Sequence, residues 1–538
     1  MGDGDSPTSW SASDIARRIA AREISAREVC EAYISRCEQT HKALNALVWN
    51  RFDAARQEAT AVDEKIARGE KLGPLAGVPM TIKESMYLQG SPTCIGLTNL
   101  RDNIVGETGV LVARLQRAGA IILGKTNVPQ LMFWHECDNP VYGRTNNPWD
   151  LARTSGGSTG GEGAIIAAGG SPLGLGTDLG GSIRVPSAWC GIHGLKPTSR
   201  RLPTSGALRT FRGLEAIQVV AGPMARHVED LELALQVLAD HSDGLSLNEI
   251  EPWPLRASRE VDIRKLKVGL WLSDDWVPPS PAIRRAVLDA AEVLCSEYDV
   301  EIAVLDDVVK AAEPRFTNGK EILELYCQLL EADGNADVRK LAKGSRLDSR
   351  VSKMLLLGGL RSPVRAVVRS FCWLLGQRLM YQLIGASRPQ STAEHWERVY
   401  EQQQFIRGFA ALLDEQQIDV ILSPAFGVPA AQHGKPFDLL PAASYTFLPN
   451  LLGWPAGVVS LSTVREDEQV GRAPTRDMVL KQAAAVDAGS AGLPVSVQVI
   501  ARPWREDIVL AVMAALERAL PRPQLSAAHL AAMGARSS

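Results

Sequence analysis

The chain has 538 residues, of which 45% are apolar and 22% are charged. These proportions are typical of a globular protein and exclude a disordered chain, a collagen-like chain and a coiled coil. Lysine and arginine number 58 and the acidic residues 61, so the net charge of −3 gives no indication of a nucleic-acid-binding protein. The length predicts one large domain or roughly two to three smaller ones.

The cysteines and the N-terminal segment indicate the cellular compartment of the protein. The eight cysteines are scattered and form no CxxC pair, which is typical of reduced thiols in the cytosol. The first residues are polar and acidic, so we expect no secretory signal or transit peptide. No run of about 18 uncharged apolar residues occurs, so we expect no membrane-spanning helix. These features predict a cytoplasmic protein.

The predicted elements alternate between helices and strands. Residues 13–70 are predicted to be mainly helical, with Ser13 and Ser25 as N-caps and a capping box between Ser25 and Glu28. Alternating apolar residues after Gly73-Pro74 predict a strand that ends at Lys83. The alternation predicts an α/β sheet covered on both sides. The remaining predicted elements are a helix near 108–118, a strand at 120–123, a helix at 160–168, a strand at 173–177, a helix from Ser182 or Ile183, helices near 226–240, 281–297 and 506–519, and strands at 267–272, 419–423, 457–462 and 494–501.

Glycine is concentrated between residues 154 and 197, where three common motifs can be compared with the sequence. A P-loop is excluded because no glycine of this stretch is followed directly by lysine, and a dinucleotide fingerprint breaks at Leu179. Residues 156–160 match G-x-S-x-G, the nucleophile elbow of α/β-hydrolases. That interpretation requires a histidine partner, and the candidates His193, His227 and His433 lie in no distinguishing context.

The same region contains groups suited to acyl transfer. A serine hydroxyl needs a base, and a buried lysine can serve because desolvation lowers its pKa. Lys83 ends an apolar strand, and Ser182 follows a run whose glycines could form an oxyanion nest. Ser158 could act as a relay between them. Taken alone, Ser182 is better explained as a helix N-cap, so composition and spacing permit this arrangement without establishing it.

Several long motifs resemble the amidase signature family. They are, in chain order, LAGVPMTIKES at 75–85, GAIILGKTNVPQLMF at 119–133, NPVYGRTNNPWD at 139–150, GGSTGGEGAIIAAGGSPLGLGTDLGGSIRVPSAWCGIHGLKPT at 156–198, DVILSPAFGVPA at 419–430 and GLPVSVQVIARPWRED at 492–507. The resemblance spans roughly residues 12–520. Glu162 in GGEGA, the GGSPLGLGTD run and NVPQLMF are most similar to the fatty acid amide hydrolase branch.

The resemblance implies a Ser-Ser-Lys triad and no metal or cofactor. Ser182 matches the nucleophile, Ser158 the bridging serine at a cis peptide, and Lys83 the base. The backbone N–H groups of the oxyanion hole would come from Leu179, Gly180, Gly181 and Ser182. Met132 and Phe133 match residues that line the entrance to the acyl site. Thr177, Asp178 and Arg184 are interpreted as structural, and His135-Glu136 lacks the second histidine of a zinc motif.

The resemblance also implies a fold and a domain organisation. We expect a large central mixed β-sheet with helices on both sides, in a single domain at 12–520, between a flexible N-terminus at 1–11 and a C-terminal tail at 521–538. Residues 351–381 are predicted to form an amphipathic helical hairpin, with Arg361, Arg365 and Arg369 along one face and an apolar opposite side. Such a hairpin suits either a membrane surface or an ordinary core or dimer interface. The segment 311–400 is interpreted as loops that shape the pocket.

These expectations together predict a serine hydrolase that cleaves lipophilic carboxamides, such as fatty acid amides or N-acylethanolamines, through an acyl-enzyme. One alternative is a soluble amidase or esterase acting on aryl amides, carbamates or other small amides. A second alternative is a subunit of an amidotransferase. The motif that contains Glu162 is evidence against it, because that motif is more similar to the fatty acid amide hydrolase branch. The expected partners are a small amide substrate, a membrane surface contacted by residues 351–381 and a second copy in a homodimer, with no nucleic acid. The expected location is cytoplasmic or peripheral at a membrane.

Overall fold

The computed structural model describes residues 6–245, 247–359, 362–386, 388–520 and 522–535. Eleven strands of these residues form one sheet in the order β1-β3-β2-β6-β8-β7-β12-β13-β11-β9-β10, and β4 pairs with β5 in a separate hairpin. The strands are β1 (Leu47–Asn50), β2 (Pro79–Lys83), β3 (Ile121–Thr126), β4 (Asp138–Asn139), β5 (Gly143–Arg144), β6 (Leu173–Asp178), β7 (His193–Lys196), β8 (Val220–Ala225), β9 (Lys267–Leu270), β10 (Glu301–Val304), β11 (Val420–Pro424), β12 (Ala456–Thr463) and β13 (Pro494–Ala501).

The sheet is mixed, as predicted. The pairs β2–β3, β2–β6, β9–β11 and β9–β10 are parallel, whereas the strands between β6 and β11 pair in antiparallel fashion. Every residue of β6, β8 and β13 is buried. Strands that are buried along their whole length have both faces covered, so the prediction of an α/β sheet with helices on both sides is confirmed.

Helices cover the sheet and fill the long connections between its strands. Apolar residues at helical spacing pack against the sheet. A polar side chain accepts a capping hydrogen bond at the start of several helices, namely that of Ser11, Ser25, Ser280, Asn318, Ser391 or Asp477. The described helices are α1 (Ala12–Ala20), α2 (Ala26–Leu44), α3 (Phe52–Ala67), α4 (Val110–Arg117), α5 (Gly160–Ala167), α6 (Arg184–Cys190), α7 (Val228–Leu238), α8 (Pro281–Tyr298), α9 (Leu305–Ala312), α10 (Gly319–Leu330), α11 (Ala336–Leu341), α12 (Ser349–Gly358), α13 (Ser362–Leu374), α14 (Arg378–Ala386), α15 (Thr392–Glu415), α16 (Ser444–Leu452), α17 (Met478–Asp487), α18 (Glu506–Ala519) and α19 (Ala527–Ala535).

The first helices show how local sequence sets the helix starts. The capping box predicted for Ser25 and Glu28 is present at the start of α2. The prediction of Ser13 as an N-cap is wrong, because α1 begins at Ala12 and Ser11 accepts the capping hydrogen bond from the N–H of Asp14. The domain limits at 11 and 520 stay predictions, and residues 1–5, 521 and 536–538 of the predicted termini lie outside the described residues.

The segment 311–400 is mostly helical rather than a set of loops. Helices α10 to α15 occupy most of it because its apolar residues recur at helical spacing and pack against one another. Within the described ranges, no helix is long and apolar enough to cross a membrane.

The described residues of α12 and α13 show which side of the predicted hairpin is covered. Arg365 is 9% exposed, and the Arg369 guanidinium lies 4.2 Å from the ring centre of Tyr381 on α14. Arg361, the third member of the expected basic face, lies outside the described residues. The described arginines therefore pack inward, and the apolar side of α13 faces outward, with Val367 70% and Leu374 71% exposed.

Candidate active site

Lys83 lies at the end of β2, between β3 and β6 at one edge of their parallel ladder. Its Nζ donates hydrogen bonds to Ser158 Oγ at 2.7 Å and to Thr177 Oγ1 at 2.8 Å. The side chain is completely buried, and burial lowers its pKa to about 7. Desolvation disfavours the charged ammonium, so a large fraction of Lys83 is neutral near neutral pH and can accept a proton.

A second buried titratable side chain, that of Glu162, interacts electrostatically with Lys83. Glu162 on α5 is fully buried and accepts hydrogen bonds from Thr81 Oγ1 at 2.5 Å and from Thr126 Oγ1 at 3.0 Å. Burial raises its pKa to about 8. Side chains two apart on a strand share a face, so Thr81 places Glu162 on the same face of the sheet as Lys83.

Ser158 lies in the turn before α5. The peptide bond between Gly157 and Ser158 is cis. A Cβ at Gly157 would lie 2.2 Å from the carbonyl oxygen of Trp134, so only glycine fits beside that segment. The N–H of Thr159 donates to the carbonyl of Ser182 at 3.1 Å. These contacts bring the turn of Ser158 against both Lys83 and the segment of Ser182.

The segment before Ser182 is organised by the buried carboxylate of Asp178. This carboxylate accepts the N–H of Gly181 at 2.9 Å and that of Ile183 at 3.0 Å, and it pairs with Arg184 at 2.8 Å. Burial opposes its charge, but the Arg184 guanidinium outweighs that cost and holds the pKa of Asp178 below its usual range. Asp178 and Arg184 therefore fix the turn, in line with the structural role predicted for them.

Three N–H groups around Ser182 are available to a ligand. The N–H groups of Leu179, Gly180 and Ser182 have no acceptor among the described residues, whereas that of Gly181 is occupied by Asp178. The half-buried Ser182 hydroxyl likewise makes no hydrogen bond within the described part of the chain. Free backbone donors beside a hydroxyl are the arrangement that stabilises an oxyanion.

His135 helps to hold this turn. Its Nε2 lies 3.2 Å from the carbonyl oxygen of Gly180, which also accepts a hydrogen bond from Thr446 Oγ1 at 3.3 Å. Burial lowers the pKa of His135 to about 4, so the ring is neutral at neutral pH. No group of three or more metal-ligating side chains occurs in the described residues. Sequence reasoning missed the contact between His135 and Gly180.

The nucleophile-elbow interpretation does not fit these contacts. Ser158 is hydrogen-bonded to Lys83, whereas His193 contacts Glu517 and His433 contacts Glu136. His227 lies 3.9 Å from the same Glu517. None of these histidines, all of them described, reaches Ser158.

Two largely apolar cavities meet at Ser182. Cavity A is lined by Ser158, Thr177, Leu111, Val219 and other residues. Cavity B is lined by His135, Gly180, Tyr326, Phe447 and others. The residues common to both are Met132, Leu179, Ser182 and Phe211. Met132 thus lies at the junction, and Phe133 lines cavity B.

Comparison with known proteins identifies the family. The profile of the amidase family matches residues 28–510. The chain belongs to the amidase signature family. It is therefore an enzyme, an amide-cleaving hydrolase, as the motifs predicted.

Individual relatives agree with this assignment. Over 512 residues the chain is 33% identical to fatty-acid amide hydrolase 1 of Sus scrofa, covering 94% of this chain and 84% of that protein. Over 500 residues it is 31% identical to fatty acid amide hydrolase 1 of Caenorhabditis elegans, covering 92% of this chain and 85% of that protein. A solved structure of fatty acid amide hydrolase superimposes with a TM-score of 0.82 at 28% identity, covering 97% of this chain and 87% of that chain.

Proposed function

We propose that this amidase hydrolyses lipophilic carboxamides through a triad of Ser182, Ser158 and Lys83. The observation that carries the proposal is the 2.7 Å hydrogen bond between the buried amine of Lys83 and Ser158 Oγ. A buried amine whose pKa lies near 7 can act as a general base at neutral pH. No comparable base contacts Ser158 among the described residues.

The reaction begins with proton removal from Ser182. Neutral Lys83 accepts the proton of Ser158, and Ser158 accepts that of Ser182 as its oxygen attacks the substrate carbonyl carbon. The tetrahedral oxyanion lies against the N–H groups of Leu179, Gly180 and Ser182, which have no competing acceptor in the described structure. Each such donor typically lowers the barrier by about 3 kcal/mol. The Gly181 N–H does not contact the oxyanion, because it donates to Asp178 and so helps to hold the turn.

The proton then returns to the leaving nitrogen. An amine leaves poorly unless it is protonated, so Ser158 passes the proton from the Lys83 ammonium to the nitrogen while the C–N bond breaks. The acyl group remains on Ser182 as an ester. Water, activated by the same pair, attacks this ester and releases the carboxylic acid and free Ser182.

The cavities support a lipophilic substrate. Cavity B is lined mainly by aromatic and aliphatic side chains, among them Phe133, Tyr326, Met354 and Phe447. Burying each methylene of an acyl chain there contributes about 0.8 kcal/mol. We therefore assign fatty acid amides and N-acylethanolamines as the substrate class.

A substrate panel and an active-site probe test this function. Turnover of amides with acyl chains of two to sixteen carbons is expected to rise in kcat/KM with chain length, whereas a flat profile favours small or aryl amides. Ser182→Ala is expected to abolish turnover and labelling by a fluorophosphonate probe, and Ser158→Ala to reduce both severely. Labelling that persists in Ser182→Ala contradicts the assignment of the nucleophile. Release of ammonia or amine by the purified single chain distinguishes hydrolysis from a role as an amidotransferase component.

We further propose that α13 contacts a membrane surface. Its outward side carries Val367, Phe371, Trp373 and Leu374, each more than half exposed. Exposed apolar and aromatic side chains on a short helix are typical of an interfacial anchor. Co-sedimentation with phosphatidylcholine–phosphatidylserine vesicles is expected for the wild type and not for Phe371→Asp/Trp373→Asp. The alternative is a homodimer interface. It is favoured if the wild type is a dimer in solution, the double variant is a monomer, and neither protein binds vesicles.

A further inference from the structure

Cavity A contains a cationic side chain that the proposed hydrolysis does not use. Arg209 lines this cavity together with Ser158, Thr177 and Ser182. It is partly buried and makes no hydrogen bond or ion pair with a residue that the structure describes. A guanidinium keeps its charge at every physiological pH. A partly desolvated, unpaired cation therefore borders the reacting groups.

Cavity A also contains a buried hydroxyl. Ser85 lines the same cavity and is 1% exposed, and its Oγ has no hydrogen-bond partner among the described residues. The N–H of Leu208 donates to the carbonyl of Ser85 at 2.8 Å, and an antiparallel bridge joins Met86 to Ala207. This pairing places the segment of Ser85 against the segment that carries Arg209. Buried hydroxyls without partners are uncommon, which points to a ligand here.

The neighbouring acidic residue is already engaged. Glu249 interacts electrostatically with Arg209, and its carboxylate accepts the N–H groups of Thr204 at 3.0 Å and Ser205 at 2.9 Å. Glu249 forms no ion pair with Arg209 within 4 Å among the described contacts. The hydrogen-bond donors of Arg209, which lines cavity A, therefore have no acceptor among the described residues.

The chemistry of the reaction indicates which half of the substrate enters cavity A. In the proposed mechanism Ser158 returns the proton to the leaving nitrogen, and Ser158 lines cavity A. Cavity B is lined by Gly180 and aromatic side chains on the other side of Ser182. The amine part therefore occupies cavity A and the acyl part cavity B.

We propose that Arg209, assisted by Ser85, binds an acidic group on the amine part, so that the substrates include N-acyl amino acids. This inference rests on the proposed function and refines its substrate class. A carboxylate two bonds from the scissile nitrogen matches the planar guanidinium, which binds carboxylates through paired hydrogen bonds. The apolar remainder of cavity A accommodates the side chain of the amino acid.

Two substrates with the same acyl chain test the proposal. N-dodecanoylglycine carries a carboxylate where N-dodecanoylethanolamine carries a hydroxymethyl group, so their kcat/KM ratio reports on recognition of the charge. Arg209→Gln is expected to lower kcat/KM for the glycine conjugate by on the order of 10- to 100-fold, the effect of losing a hydrogen-bonded charge pair. The ethanolamide should change by less than about threefold, which also shows that the variant is folded.

The controls separate this inference from the proposed function. Arg209→Lys is expected to recover part of the lost glycine-conjugate activity, and Arg256→Gln, at an exposed arginine outside both cavities, to leave the ratio unchanged. Equal loss on both substrates, or no loss on either, overturns the inference. Turnover of the ethanolamide alone by the wild type also overturns it and leaves the proposed function intact. Absence of turnover for both substrates refutes the proposed function itself.

Discussion

Replacement of Lys83 by methionine tests the role of the buried amine. The ordinary lysine pKa of 10.5 falls to about 7 through burial, a difference that corresponds to about 5 kcal/mol against the charged form. Only the neutral amine can act as a base, so kcat/KM of the wild type should rise with pH to a plateau above pH 7. At pH 5 about one molecule in a hundred carries a neutral amine, and activity should be about 50-fold lower than at pH 7.

The assay is kcat/KM for an uncharged amide between pH 5 and 9, compared with Lys83→Met. The variant should lose nearly all activity, and its residual rate should lack the inflection near pH 7. Lys196 provides a matched control, because burial also lowers its pKa to about 7 but it contacts Pro197 rather than Ser158. Lys196→Met should keep the inflection. A wild-type profile that is flat from pH 5 to 8, or an inflection that persists in Lys83→Met, refutes the reasoning.

The same substitution has a predicted effect on stability. Because the pKa of Lys83 is lowered on folding, the unfolded chain binds more protons between pH 7 and 10.5, and this contribution to stability rises with pH through that window. Lys83 therefore destabilises the protein at neutral pH. Lys83→Met should raise the free energy of unfolding by about 2 kcal/mol at pH 7, after the lost hydrogen bonds to Ser158 and Thr177 are counted. This gain should shrink towards pH 10.5, as measured by urea unfolding.

Two further predictions concern the turn before Ser182. Asp178→Asn leaves Arg184 without its buried counter-charge, so urea unfolding should show a loss of about 3 kcal/mol and kcat should fall. An unchanged urea midpoint would show that the ion pair does not hold the turn. Gly181 has a φ of 101°, and a Cβ there would lie 2.5 Å from Thr446 Oγ1, so Gly181→Ala should reduce kcat by about 100-fold. Gly69→Ala, at a φ of 69° in open space, should cost only about 1 kcal/mol and leave kcat unchanged; equal activity of the two variants would contradict the crowding argument.

Sequence patterns predicted the elements with strong local signals. The strand that ends at Lys83 and the helix of Glu162 were placed within about two residues of their observed limits. Strands β7 and β8 were missed, because strands buried on both faces show no alternation of polar and apolar residues. Pro223 at the centre of β8 also argues against a strand in sequence, yet it faces Leu175 in the β6 ladder.

The site depends on pairings that local sequence does not encode. Thr177 lies 94 residues after Lys83 in the sequence. The two residues are in contact because β6 pairs with β2. A threonine at a strand end carries no local signal of such a contact. The sequence likewise left open which side of α13 is covered, and in the structure Arg369 of α13 packs on Tyr381 of α14. Only tertiary packing decides which side of an amphipathic helix turns inward.

The meeting of two cavities at Ser182 bears on the order of product release. If the amine part occupies cavity A and the acyl chain cavity B, as proposed above, the amine can depart while the esterified chain keeps its place. The vacated space then admits the next nucleophile directly to the ester carbon. We expect a small alkylamine that enters this largely apolar space to compete with water for the ester, so that added alkylamine yields some exchanged amide.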